Sequence, residues 1–109
     1  MTNAASPMPE RDSEGYLKQL SDWSPAVAEA IAAQEGIELS PNHWEMIEFL
    51  RDLYQEYGVI PPMRILVKAI GQQLGENKGS SIYLMQLFSG TPIRVASKIA
   101  GLPKPTNCL

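Results

Sequence analysis

Few residues in this chain of 109 have the capacity for chemistry, and the most conspicuous is its only thiol. Cys108 stands next to last in "GLPKPTNCL", residues 101–109. A thiolate attacks sulfur and carbon electrophiles, yet an ordinary cysteine with a pKa of about 8.5 is only a few per cent ionised at neutral pH. Lys104 favours the anion, as Arg94 or Lys98 would if the tail folded back, whereas the terminal carboxylate of Leu109 opposes it. Little intrinsic reactivity is expected, with activation supplied by partners. The one histidine, His43, cannot build a metal cluster, and no serine or aspartate is spaced for a catalytic triad. Neither a metal nor any other cofactor is implied.

The tail that carries Cys108 starts where a helix must stop. Gly101 suits a helix C-terminus, and Pro103 and Pro105 each remove a backbone donor and bias the preceding residue toward extended angles. From Gly101 to Cys108 such an arm spans about 20 Å at roughly 3 Å per residue. Chain ends also fray, which would make a thiol there incidental. Unpaired cysteine is usually buried, so a proline-stiffened terminus is the wrong place for one that merely packs.

The elements that must hold the arm read as helices. Ser24-Pro25 places a capping hydroxyl before a proline in the first turn, and "SPAVAEAIAAQEG" runs from it to Gly36. Ser40-Pro41 repeats the device for "SPNHWEMIEFLRDLYQEYG". Its Trp44, Ile47, Leu50, Tyr54 and Tyr57 recur at helical spacing, widened by Met46, Phe49 and Leu53. This longest helix is expected to be central. Pro61-Pro62 opens a third, with Met63, Leu66, Val67, Ile70 and Leu74 in one stripe; a short fourth covers about 80–88; Thr91-Pro92 starts "TPIRVASKIAG". Ahead of them, "EGYLKQLSDW" is the stretch able to pair as a short strand. The expectation is a mainly α bundle of about five short helices, with a small N-terminal β-hairpin at most and an extended C-terminal arm. Its divisions are a flexible N-terminus over 1–13, a helical domain over 14–100 and the arm over 101–109.

Composition narrows the class. With 44% hydrophobic residues and no long apolar run, the chain fits a soluble globule and not a membrane span. "MTNAASPMPERDSEG" lacks the basic start and apolar stretch of a secretion signal, and a lone cysteine offers no internal disulfide, so a cytoplasmic address is expected. The net charge of −3 argues against a broad nucleic-acid surface.

The segments "EGYL", "SDWSP", "SPNHWE", "LVKAI" and above all "KIAGLPKPTNCL" resemble the DsrC/TusE family, from about Glu14 to Leu109. The resemblance implies a small helical sulfur-trafficking protein whose terminal cysteine carries sulfur as a persulfide. Two-cysteine members, the partners of dissimilatory sulfite reductase, hold a second cysteine eleven positions earlier, where this chain has Ser97. A serine oxygen cannot close the disulfide or trisulfide of that cycle. The one-cysteine pattern resembles the TusE-type branch, which implies a TusBCD-type relay complex as donor and an MnmA-type tRNA thiouridylase as acceptor. The chain departs from the pattern at its front end, where two prolines and little β-propensity replace the family's first strand.

Other residues admit plainer readings. Arg94 and Lys98, four apart, share a helix face that would either dock an acidic partner or stay solvated. His43 suits a cap or a surface site, and Trp23, Trp44, Tyr54 and Tyr57 suit core or half-buried positions. A rival function is a DNA-binding regulator, since "MRILVKAIGQQLGENKGSSIYLMQLF" has the outline of a helix-turn-helix with Arg64, Lys68 and Lys78 nearby. Its second helix offers no Arg or Lys to base edges.

Overall fold

A computed structural model of the chain describes residues 8–105. Helix starts follow the capping chemistry of the sequence. Ser24 Oγ accepts a hydrogen bond from Val27 N–H at 3.2 Å and opens α1 (Pro25–Gln34). Ser40 opens α2 (Pro41–Tyr57), and here a histidine closes the capping box, because Ser40 N–H donates to His43 Nδ1 at 3.0 Å. Pro62 precedes α3 (Met63–Leu74), and Ser80 Oγ accepts from Tyr83 N–H at 3.1 Å to start α4 (Ser81–Phe88). The last helix, α5 (Pro92–Ile99), breaks the rule, since Thr91 makes no side-chain cap bond. Its ψ of 69° departs from the extended geometry of the serine caps, whose ψ values are 166°, 171° and 151°.

The short α5, and not the long α2, is the hub. It packs against α1, α2 and α4, and buries Ile93, Val95, Ala96, Ser97 and Ile99. Helix α2 gives the core one face through Met46, Ile47 and Leu50, while Glu48, Asp52 and Glu56 face solvent. Tyr57 lies at helical spacing from the apolar set yet is 64% exposed. The final turn, residues 55–58, is exposed throughout, so α2 overhangs the core there. Trp23, Trp44 and Tyr54 are half-buried, as expected.

His43 is buried, which excludes the surface reading and keeps the capping one. With Nδ1 accepting from Ser40, Nε2–H donates to Leu87 O at 2.8 Å, and the ring meets Phe88 edge-on at 5.2 Å. One side chain thus caps α2 and ties it to the end of α4.

Among the described residues the expected N-terminal hairpin shows one antiparallel bridge, Arg11 with Leu17. The Asp12 carboxylate holds its turn by accepting from Glu14 N–H at 2.8 Å and Tyr16 N–H at 3.0 Å. Beyond it, Leu20–Asp22 forms a 3₁₀ turn, so "EGYLKQLSDW" does not continue as a strand. Of the stretch 1–13 expected to be flexible, residues 1–7 lie outside the described residues, while Met8 packs against the core and Asp12 orders the turn.

Candidate functional site: the root of the C-terminal arm

The last turn of α5 leaves carbonyls without helical partners, and each finds one from a distant segment or from the arm itself. Gly101 N–H donates to Lys98 O at 3.1 Å and Leu102 N–H to Ser97 O at 2.9 Å, with Gly101 at φ +74°. This is a Schellman ending, and the buried Leu102 supplies its apolar contact. Ile99 O accepts from Trp23 Nε1–H at 2.9 Å, and Ala100 O from Arg51 Nη1–H at 2.7 Å. The two donors are themselves joined, since the Arg51 guanidinium lies 3.8 Å from the Trp23 ring centroid. Burial lowers the Arg51 pKa from its ordinary value, and the nearby Asp52 opposes that shift.

Gly101 meets Trp23 closely. A Cβ at Gly101 would run into Trp23 Cδ1 and lie 2.6 Å from its Cγ, so no side chain fits there without moving the indole. Glycine is therefore required twice, by its left-handed backbone and by the wall it faces.

The N-terminal turn braces the same region. Tyr16 O–H donates to Arg94 O at 3.3 Å, and its ring lies 5.3 Å from Lys98 Nζ. Lys98 pairs with Glu35 at 3.0 Å and lays its Cδ against Gly15, 3.3 Å from where a Cβ would stand. Lys104 pairs with Glu14 at 3.0 Å. Asp12, which orders this turn, has its carboxyl held below the usual range, first by the Tyr16 N–H bond.

The structure thereby sorts the residues singled out by the sequence. At the arm's root Gly101 faces Trp23 and Lys104 pairs with Glu14, with Leu102 and Pro105 buried and Pro103 exposed. The arm's first five residues pack onto the body and do not lead away from it. Tyr54, Gly58, Val59 and Ile60 form the other wall of a cleft of about 110 Å³ along Pro103, Lys104 and Pro105. Lys98, expected either to dock an acidic partner or to stay solvated, is engaged within the chain by Glu35 and the Tyr16 ring. Arg94 is exposed on α5. Ser97 is fully buried, and among the described residues its Oγ has no hydrogen-bond partner. Cys108 lies outside the described residues.

Trp23, Arg51, Tyr16 and Glu14 had no assigned task in the sequence. Trp23 and Arg51 meet α5 and its end from 76 and 49 positions away, a separation that helical periodicity cannot report. Arg51 in particular reads as an ordinary polar residue of α2. Lys78, counted toward a DNA-binding surface, pairs with Glu45 at 2.7 Å. Among the described residues no helix is long and apolar enough to cross a membrane, and no group of three His, Cys, Asp or Glu is gathered to hold a metal.

A helical body built around α5, with the segment leading to a penultimate cysteine anchored at that helix's end, defines a class, and this chain belongs to the family of DsrC-like proteins, whose model matches residues 4–109. Particular relatives follow. The chain is 55% identical over 98 residues to the sulfurtransferase TusE of Salmonella paratyphi A, covering 90% of each chain. It is 53% identical over 100 residues to that of Escherichia coli K12, covering 92% of each. Its fold matches the solution structure of Allochromatium vinosum DsrC with a TM-score of 0.81 at 50% identity, over 90% of this chain and 88% of that one. The oxidized γ-subunit of the Archaeoglobus fulgidus dissimilatory sulfite reductase matches at 0.79 and 39%, over 93% and 92%.

Proposed function

We propose that this protein is a cytoplasmic sulfur carrier that accepts one sulfane sulfur on Cys108 and hands it to a second protein. In loading, the Cys108 thiolate attacks the outer sulfur of a donor persulfide. A new S–S bond forms on Cys108, the donor's S–S bond breaks, and its electron pair leaves on the donor thiolate, so no external oxidant is needed. Unloading repeats the exchange on the acceptor. The donor in this reading is a TusBCD-type relay complex, and the acceptor is an MnmA-type thiouridylase that 2-thiolates wobble uridine in tRNA. The carrier does not grip tRNA itself, in keeping with its net charge of −3. Relatives named sulfurtransferase, aligned over 90% of this chain, support the role.

The observation that carries the one-thiol form is Ser97. At the place where the resemblance puts a second cysteine there is a buried hydroxyl, which cannot resolve a persulfide. A sulfur loaded onto Cys108 then stays until another protein takes it. The same residue argues against the redox cycle of the two-cysteine sulfite reductase partners. The test is intact mass spectrometry after incubation with a cysteine desulfurase and the upstream relay. One added sulfur is expected, removed by reductant and absent from Cys108→Ser. Persulfide loading of Cys108→Ser, or normal uridine thiolation in cells that carry it, refutes the proposal.

A further inference from the structure

Beside the arm's root, α2 and the turn at Trp23–Pro25 enclose a cleft of about 410 Å³, lined by Trp23, Pro25, Trp44, Glu48, Arg51 and Asp52. Two half-buried indoles and a proline ring make it apolar. Glu48 and Asp52, four apart on α2 and both exposed, make its rim acidic. Among the described residues Glu48 has no hydrogen-bond or ion-pair partner, and Asp52 acts on Arg51 only through its field. One guanidinium is already in place, since Arg51 stacks 3.8 Å from the Trp23 ring centroid.

We infer that this cleft is a docking site for an arginine side chain of a protein partner. A guanidinium is planar and weakly hydrated, stacks on an indole face and spans a carboxylate with two parallel N–H donors. Trp44 offers the stacking surface that Arg51 does not use, and Glu48 with Asp52 supplies the charge. The two carboxylates outnumber the Arg51 guanidinium, which is already engaged by the Trp23 face and Ala100 O, so the cleft disfavours phosphate and nucleic acid is set aside. The position carries a consequence for the arm. Trp23 and Arg51, which line the cleft, also hold the carbonyls of Ile99 and Ala100. A partner arginine seated there touches the residues that aim the arm, so the body is gripped next to its root.

The test is a titration of the full chain, in its Cys108→Ser form, with a capped Gly-Arg-Gly-Arg-Gly peptide, followed by ¹H–¹⁵N NMR. Saturable shifts are expected at the Trp23 and Trp44 indole N–H groups and at the amides of Glu48, Asp52 and Gly101. The double variant Glu48→Gln, Asp52→Asn is expected to weaken binding about tenfold, and a lysine peptide to bind several-fold more weakly. Both substitutions are isosteric and exposed, and an unchanged spectrum away from the cleft confirms the fold. Equal affinity for the arginine and lysine peptides, or an unaltered affinity in the double variant, overturns the inference. So does a dimer seen by sedimentation that those substitutions dissociate, because a second copy would then be the occupant. No sulfur is present in the experiment, so its failure leaves the carrier reading intact.

Discussion

Gly101→Ala perturbs the arm at the point where helix end and tryptophan meet. Placing an ordinary residue at φ +74° costs about 1–2 kcal/mol of backbone strain. The new methyl also collides with Trp23, 2.6 Å from Cγ and 2.8 Å from Cβ. The indole can yield only by giving up its bond to Ile99 O and its stack with Arg51. The hydrogen bond is worth about 0.5–1.5 kcal/mol and the stack about 0.5–1 kcal/mol. A loss of about 3 kcal/mol follows, which for a domain of this size lowers Tm by about 12 °C or more. Gly36→Ala is the internal control. Its φ of +77° imposes the same backbone strain, but nothing lies within 4 Å of the added carbon. Urea unfolding followed by circular dichroism should therefore show Gly101→Ala about 2 kcal/mol worse than Gly36→Ala, with tryptophan fluorescence altered in the first alone. Equal losses would show that Trp23 does not wall the arm and would falsify the account of its root.

Three further outcomes are expected. His43→Ala removes the reciprocal bond of the α2 capping box and the bond to Leu87 O while leaving the Ser40 cap on the backbone, and should cost about 2–3 kcal/mol by denaturant titration, well beyond an ordinary cap loss of about 1 kcal/mol. Ser97→Ala deletes an unpartnered buried hydroxyl, so the chain should be as stable or more stable, by up to about 1 kcal/mol; a loss of 1 kcal/mol or more would mean that the hydroxyl is used. Asp12 binds its proton less readily folded than unfolded, so its contribution to stability is full above pH 3.8 and lost as pH falls through its lower folded value. The amide shifts of Glu14 and Tyr16 should accordingly titrate with a midpoint below 3.8, and Asp12→Asn should abolish that inflection.

What the sequence discloses and what it conceals follow from the range of the interactions. Helix starts are local events, set by a hydroxyl reaching two or three residues ahead, and Ser24, Ser40 and Ser80 behave as their neighbours dictate. Thr91 carries the same local signal and fails, because its backbone takes another angle. Gly101 is legible as a helix stop, but its wall is not. Trp23 and Arg51 reach the end of α5 across most of the fold, and no spacing rule brings a residue of the 3₁₀ turn's end and one of α2 to consecutive carbonyls. The centrality of α5 is hidden for a related reason. Apolar periodicity marks the face a helix buries, whereas burial on several sides depends on how many other helices come to it.

The anchoring of residues 101–105 changes what the arm does for a carrier. A free arm leaving the body at Gly101 would have a long reach and a large ordering cost when a partner captured its end. Leu102 and Pro105 buried, Lys104 paired with Glu14 and two carbonyls of the last turn held by Trp23 and Arg51 mean that most of that cost is met on folding. Cys108 then lies three residues beyond Pro105 in the chain, and covalent geometry allows those three steps no more than about 10–11 Å. On the proposed function, a protein that takes sulfur from Cys108 must therefore come up against the body itself, where Val59 stands 60% exposed on the wall of the cleft that holds Pro105. Recognition of the helical surface and delivery of the sulfur are then coupled by distance. On that reading a partner that fails to fit the body cannot reach the thiol, which would give a carrier with one unassisted nucleophile a means of choosing where its sulfur goes.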